Sequence, residues 1–185
     1  MSISLKLSIG FLGIVFGMAV FAPSFAPYSY ETQDTLNTLA TPSLKHWMGT
    51  DRLGRDLFSR LIYGARVSLF IGVSTTLLAL LIGTVYGAVS GYMGGRTDSV
   101  MMRFVDVVFA LPDMLMIILI TVIMGRGITG MFIALTLVSW VTIARLVRGE
   151  VLRIKEYTYI EAASALGASN TRILTREILP NIYGL

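Results

Sequence analysis

Few side chains in this sequence can do chemistry, and the most conspicuous are two carboxylates in apolar surroundings. Asp106 and Asp113 stand seven residues apart in the stretch Val105–Met124, a spacing that places them on one face of a continuous helix. A carboxylate exposed at a bilayer centre costs about 2.5–3.5 kcal/mol. Asp113 is therefore expected to face a cavity, a partner helix or the interface. Two readings follow: a carboxylate lining a translocation path, or an acid that packs between helices or sits at the membrane surface. There is no cysteine and the only histidine is His46. Disulfides, thiolate metal sites and cysteine nucleophiles are excluded, and a structural zinc site lacks its donor set. None of Lys6, Lys45 and Lys155 follows a glycine, so the Gly-Lys pair of a phosphate-binding loop is absent. If ATP drives this protein, another chain must hydrolyse it. With no set of nucleophile, base and orienting group in view, the chain is not expected to be an enzyme.

The remaining chemistry lies in residues 149–180, GEVLRIKEYTYIEAASALGASNTRILTREILP. The segment is too polar to span a bilayer. Helical spacing puts Val151, Ile154, Thr158, Ala162 and Ala165 on one face and Glu150, Arg153, Tyr157, Ile160, Glu161 and Ser164 on the other. Gly167 is a natural stop, and Asn170 can cap a second short helix, Thr171–Leu179, that Pro180 ends or kinks. Two short helices meeting at a glycine turn make either a surface amphipathic linker or an exposed element that docks into a partner's groove.

The elements that position these residues follow from composition. Of 185 residues, 55% are hydrophobic and 14% charged, against roughly a quarter charged in a soluble domain. Mean hydropathy is +0.74. A disordered chain, a coiled coil and an ordinary soluble enzyme are excluded, and a polytopic all-α membrane protein is expected. The net charge of +4 sits on residues flanking apolar spans. It reads as membrane topology, with no nucleic-acid partner implied.

About four spanning helices are expected. The first runs Leu7–Ala22 after Lys6; Pro23 and Pro27 sit poorly with a cleavage site, which argues for a retained helix over a signal peptide. Within residues 24–66, Leu53, Leu57, Phe58, Leu61 and Ile62, the pairs Asp51–Arg55 and Asp56–Arg60 and the cap Thr50 predict a short amphipathic helix. It would lie on the membrane surface or pack on neighbouring protein. The strongest span is Val67–Ser90, inside an uncharged run between Arg66 and Arg96. In it Gly83, Gly87 and Gly91 fall four apart, a stripe that lets another helix approach closely. A Gly-rich link, 91–103, leads to the third span, Val105–Met124, which Pro112 is expected to kink. A tight Gly125-Arg126-Gly127 link precedes the fourth, Ile128–Ala144, where Trp140 is an interface anchor or a packing residue. The expected divisions are a transmembrane helix (1–23), an extracytoplasmic segment (24–66), a three-helix core (67–148) and a cytoplasmic coupling segment (149–185). Nine of the 15 Lys and Arg residues then share the side of the N-terminus, six of them after the fourth span. That side is read as cytoplasmic.

Glu161-Ala162-Ala163, then Gly167 after three residues, then Leu179-Pro180, resembles the EAA loop of bacterial ABC importer permeases. Glu177 stands where the family usually has Ile, with Ile178 one residue later. The stretch Gly49-Thr50-Asp51-Arg52-Leu53-Gly54-Arg55-Asp56 resembles the GTDxxGRD region of the dipeptide, oligopeptide and nickel permeases, their C-type subunit in particular. Gly91–Arg103 and Ala144–Glu150 are similar to the same group, so the resemblance covers about residues 45–185.

The resemblance implies part of a type I importer permease fold in the bacterial cytoplasmic membrane. A second permease subunit would pair with this one, two cytoplasmic ATPase subunits would bind ATP-Mg, and an extracytoplasmic binding protein would deliver substrate. No cofactor is implied in this chain itself. Glu161, Ala162, Ala163 and Gly167, with Leu179 and Pro180, would form the ATPase-coupling element. Peptide import is the implied function, with nickel or another small solute as the alternative. A non-ABC membrane structural protein and a channel using Asp106 and Asp113 also fit the residues. The family continues with two further spanning helices after the EAA loop, so a chain ending at Leu185 is expected to be truncated.

Overall fold

The computed structural model describes residues 2–125 and 127–182; Arg126 of the expected link and residues 183–185 lie outside them. Among the described residues all regular structure is helical, apart from one isolated β-bridge between Thr50 and Asp56. The chain divides into two compact units, Met1–Val73 and Ser74–Leu185.

In the first unit α1 spans Ile3–Val20, capped by Ser2, whose hydroxyl accepts from the Leu5 amide at 3.4 Å. The short α2, Ala22–Phe25, takes Pro23 in its first turn, where a missing N–H costs nothing. The chain then runs irregularly to α3, Leu57–Met93. The amphipathic helix expected to start after Thr50 does not form there. Residues 50–56 fold into a tight turn, and the helix begins at Leu57 and continues unbroken.

The turn wins because its side chains bond locally. The Thr50 hydroxyl accepts from the Ala40 amide at 2.8 Å and donates to the Asn37 carbonyl at 2.5 Å. The Asp51 carboxylate accepts from the Leu53 and Arg55 amides at 2.8 and 3.0 Å, from Arg55 Nε at 2.9 Å and from Arg60. Asp56 caps α3 through the Ser59 amide at 2.8 Å and holds His46 Nδ1 at 2.9 Å. The expected Asp56–Arg60 pair is thus replaced by Asp56–His46 and Asp51–Arg60, while Asp51–Arg55 forms within a turn. Gly54 has φ +70°, and a Cβ there would collide with the Asp34 backbone, so only glycine serves.

In the second unit α4 (Gly95–Phe109) and α5 (Asp113–Met124) meet at an 84° bend. Pro112 has no N–H and would press on the carbonyl one turn earlier, which ends α4 before it. The expected single span Val105–Met124 is therefore two helices, and α4 begins inside the expected Gly-rich link. α6 runs Ile128–Lys155, past the expected end at Ala144. Among the described residues three helices are long and apolar enough to cross a membrane, and the bent pair makes a fourth if counted as one span.

The glycine stripe decides how α3 and α6 pair. A Cβ on Gly83 would meet Ile143 and the Trp140 carbonyl, each at 2.7 Å; one on Gly87 would meet the Ala144 carbonyl; one on Gly91 would meet Arg148 and Val151 at 3.0 Å. Contacts advance together along both helices, so this part of α3 runs parallel to α6. Two parallel spanning helices require the chain between them to recross, which makes α4 and α5 together one crossing. Trp140 is 7% exposed and lies edge-on to Tyr86 at 4.9 Å. It packs with Ala79, Val105, Val141 and Ala144.

Candidate functional site

The segment after α6 forms a compact element of four short pieces. α7 is Thr158–Ala165, α8 is Asn170–Arg172, Ile173–Ile178 is π-helical, and α9 is Leu179–Ile182. Ile160, Ile173 and Ile178 are buried against Val147, Val151 and Ile154 of α6. At about 25 cal/mol per Å² of apolar surface removed from water, such isoleucines hold α7 far more strongly than its eight residues hold themselves.

Pinning by Ile160 sets which face of α7 looks outward. Glu161, Ala162, Ser164 and Ala165 are exposed, and Leu166 just beyond is 89% exposed. Ala163 is half-buried and packs on the isoleucine core. This corrects the helical faces expected from sequence. Residues 151–165 are not one helix: the chain breaks at Glu156–Tyr157, the phase resets, and Ile160 rather than Ala162 and Ala165 turns inward. Gly167 has φ +82° with open space where a Cβ would sit, so glycine serves conformation there, not close approach. Ser169 caps the next helix by accepting from the Arg172 amide at 3.4 Å, in place of the expected Asn170. Asn170 instead accepts from the Tyr92 hydroxyl at 3.1 Å.

Leu179 and Pro180 lie in α9, which continues through the proline to Ile182. The preceding π-helical turn gives a reason. Its wider ring, with the Leu179 amide donating to the Leu174 carbonyl, relieves the clash a proline makes in an α-helix.

Asp106 and Asp113 do not share a face, because the bend at Pro112 separates them. Asp106 pairs with Arg145, whose guanidinium also lies 4.0 Å from the Phe109 ring centroid. Asp113 opens α5 and lines a small pocket with Val108, Phe109, Met116, Val138 and Val141.

A half-buried polar cluster was not legible in the sequence. Asp98, 9% exposed, receives a two-pronged contact from Arg148: Nε to Oδ1 at 2.6 Å and Nη2 to Oδ2 at 2.5 Å. The Ser90 hydroxyl donates to the same Oδ1 at 2.6 Å. Nearby, Lys155 Nζ donates to the Tyr92 carbonyl at 2.7 Å. The available signal was Asp98 itself, an acid in a basic, Gly-rich stretch expected to be a link.

A family described as "Binding-protein-dependent transport system inner membrane component" matches residues 83–185. The chain belongs to this family. The match takes in the glycine stripe, the Asp98–Arg148 cluster and the whole element after α6. A second match, "N-terminal TM domain of oligopeptide transport permease C", covers residues 6–42. The Gly49–Asp56 turn falls between the two. Among curated relatives, the oligopeptide transport system permease protein OppC of Bacillus subtilis (strain 168) is 48% identical over 167 residues, which are 90% of this chain and 55% of that protein. The dipeptide transport system permease protein DppC of the same organism is 48% identical over 170 residues, 92% of this chain and 53% of that one. The glutathione transport system permease protein GsiD of Escherichia coli O6:K15:H31 (strain 536 / UPEC) is 43% identical over 173 residues, 92% and 56% respectively. The chain spans about half the length of the curated relatives it matches.

Proposed function

We propose that this chain is a permease subunit of an ATP-driven, binding-protein-dependent peptide importer in the bacterial inner membrane, with its N-terminus cytoplasmic. One observation carries the reading: α7 presents Glu161 beside the small residues Ala162, Ser164 and Ala165, on a helix held from behind by buried isoleucines. A small-residue face admits close approach by a partner, and a rigid mount transmits force rather than absorbing it. The sequence holds no phosphate-binding loop, so ATP-Mg belongs to separate subunits. The Bacillus subtilis relatives named for oligopeptide and dipeptide transport support peptides as the substrate class.

The proposed partners are a second permease subunit, two cytoplasmic ATPases seated on the Glu161–Gly167 loop, an extracytoplasmic binding protein, and lipid around the apolar helices. Asp106 and Asp113 remain proposed members of the translocation path. The test is recovery of the natively expressed, tagged chain in mild detergent. A second permease and ATP-binding subunits in the eluate support the reading; recovery free of any ATP-binding chain overturns it.

A further inference from the structure

The Ser90–Asp98–Arg148 cluster has a role that neither membrane insertion nor the outward face of α7 explains. A half-buried ion pair adds little to the stability of a helix bundle, because Arg148 is 33% exposed and desolvation of Asp98 offsets much of the attraction. What the pair offers is direction. A guanidinium fork on a carboxylate fixes both distance and angle, here with both prongs made and a third hydrogen bond from Ser90.

Its surroundings need such a device. α3 and α6 meet along Gly83, Gly87 and Gly91, where the α6 backbone and the Ile143 and Val151 side chains lie against bare glycine. A seam with side chains on one helix only brings helices close but offers little directional resistance to sliding. The cluster sits at the end of that seam: Ser90 is next to Gly91, and Arg148 lies against it. It joins three helices, since Ser90 is on α3, Asp98 on α4 and Arg148 on α6. One and two turns further along α6, Val151 and Ile154 seat the isoleucines of the element that follows. That element is also tied to α3 by Asn170, which accepts from the Tyr92 hydroxyl, while Lys155 at the end of α6 donates to the Tyr92 carbonyl.

We propose that Asp98 and Arg148 are positioning residues that lock the register of α3, α4 and α6, so that displacement of the Glu161–Gly167 loop moves the three helices as one body. The inference rests on the importer reading above. Without the lock the loop still engages its ATPase and hydrolysis continues, while the helices slip along the glycine seam and substrate is not carried.

The experiment compares ATP hydrolysed with tri-alanine taken up in membrane vesicles holding the assembled transporter. Arg148→Lys keeps the charge but loses the fork. The double variant Asp98→Cys/Arg148→Cys removes both charges together and introduces this chain's only two thiols. Both are expected to assemble with the ATPases and to raise ATP consumed per peptide by about fivefold or more. A short bis-thiol cross-linker is expected to return the double variant toward the ratio of the unmodified chain. An unchanged ratio in either assembled variant overturns the proposal, as does a cross-link that forms without restoring coupling. Failure of the double variant to assemble assigns the pair to folding and overturns it too. If the unmodified chain recruits no ATPase, the importer reading fails and the inference falls with it; an active transporter with unchanged coupling defeats the inference alone.

Discussion

The Asp51 carboxylate shows how one residue organises a segment. Its desolvation pushes the pKa up, but the Arg55 and Leu53 amides and the Arg55 guanidinium pull harder, leaving it at about 2. Asp56 is also held below the usual carboxylate range: burial opposes this, and the Ser59 amide and His46 outweigh it. Both contributions are complete above the ordinary carboxylate value of 3.8 and are lost as pH falls through the lowered folded values. The 26–56 segment is therefore expected to resist proteolysis at pH 5 and to be cut progressively between about pH 4 and 2, a trend read by acid-active protease digestion. Asp51→Ala is expected to produce the open, cleavable segment already at neutral pH. On α3, Gly87→Leu would drive a side chain into the Ala144 backbone. Overpacking of this kind costs about 1–3 kcal/mol, and a lower aggregation temperature in detergent checks it.

At the scale of elements, α7 separates support from contact. Ile160 is 5% exposed and Leu166 is 89% exposed. Ile160→Ala is expected to cost about 2–5 kcal/mol locally and to lower both protease resistance of the element and ATPase recovery. Leu166→Ala is expected to lower ATPase recovery alone. Glu161→Lys and Gly167→Pro are expected to reduce uptake at normal membrane levels, which parallel transport assays and membrane immunoblots would measure. The sequence made the existence of this element legible, since Gly167 marks its turn and residues 149–180 are too polar to span. Its facing was not legible. Periodicity assumes an unbroken helix, and the break at Glu156–Tyr157 resets the phase. The same assumption put Asp106 and Asp113 on one face, which Pro112 prevents. For Gly49–Asp56, leucine spacing suggested a helix, but Thr50, Asp51 and Asp56 bond to local backbone instead.

At the scale of the molecule, apolar run lengths announced the spanning helices, and the glycine stripe announced a close helix contact. Which helix it meets was not in the pattern; contacts with Trp140, Ala144 and Arg148 identify α6. The parallel run of α3 and α6 makes α4–α5 a crossing segment and puts the ends of α3 and α6 near Met93 and Lys155 on one side. Single cysteines at Ser99 and Ser164 are expected to label from the same face in this otherwise cysteine-free chain. In the proposed assembly the outward face of α7 seats an ATPase. The most direct test is a photo-reactive cross-linker on a lone Leu166→Cys in the natively expressed chain. A covalent adduct with an ATP-binding subunit is expected, its yield changing when nucleotide is added. Adducts only with lipid or with other chains, at normal membrane levels, would contradict it.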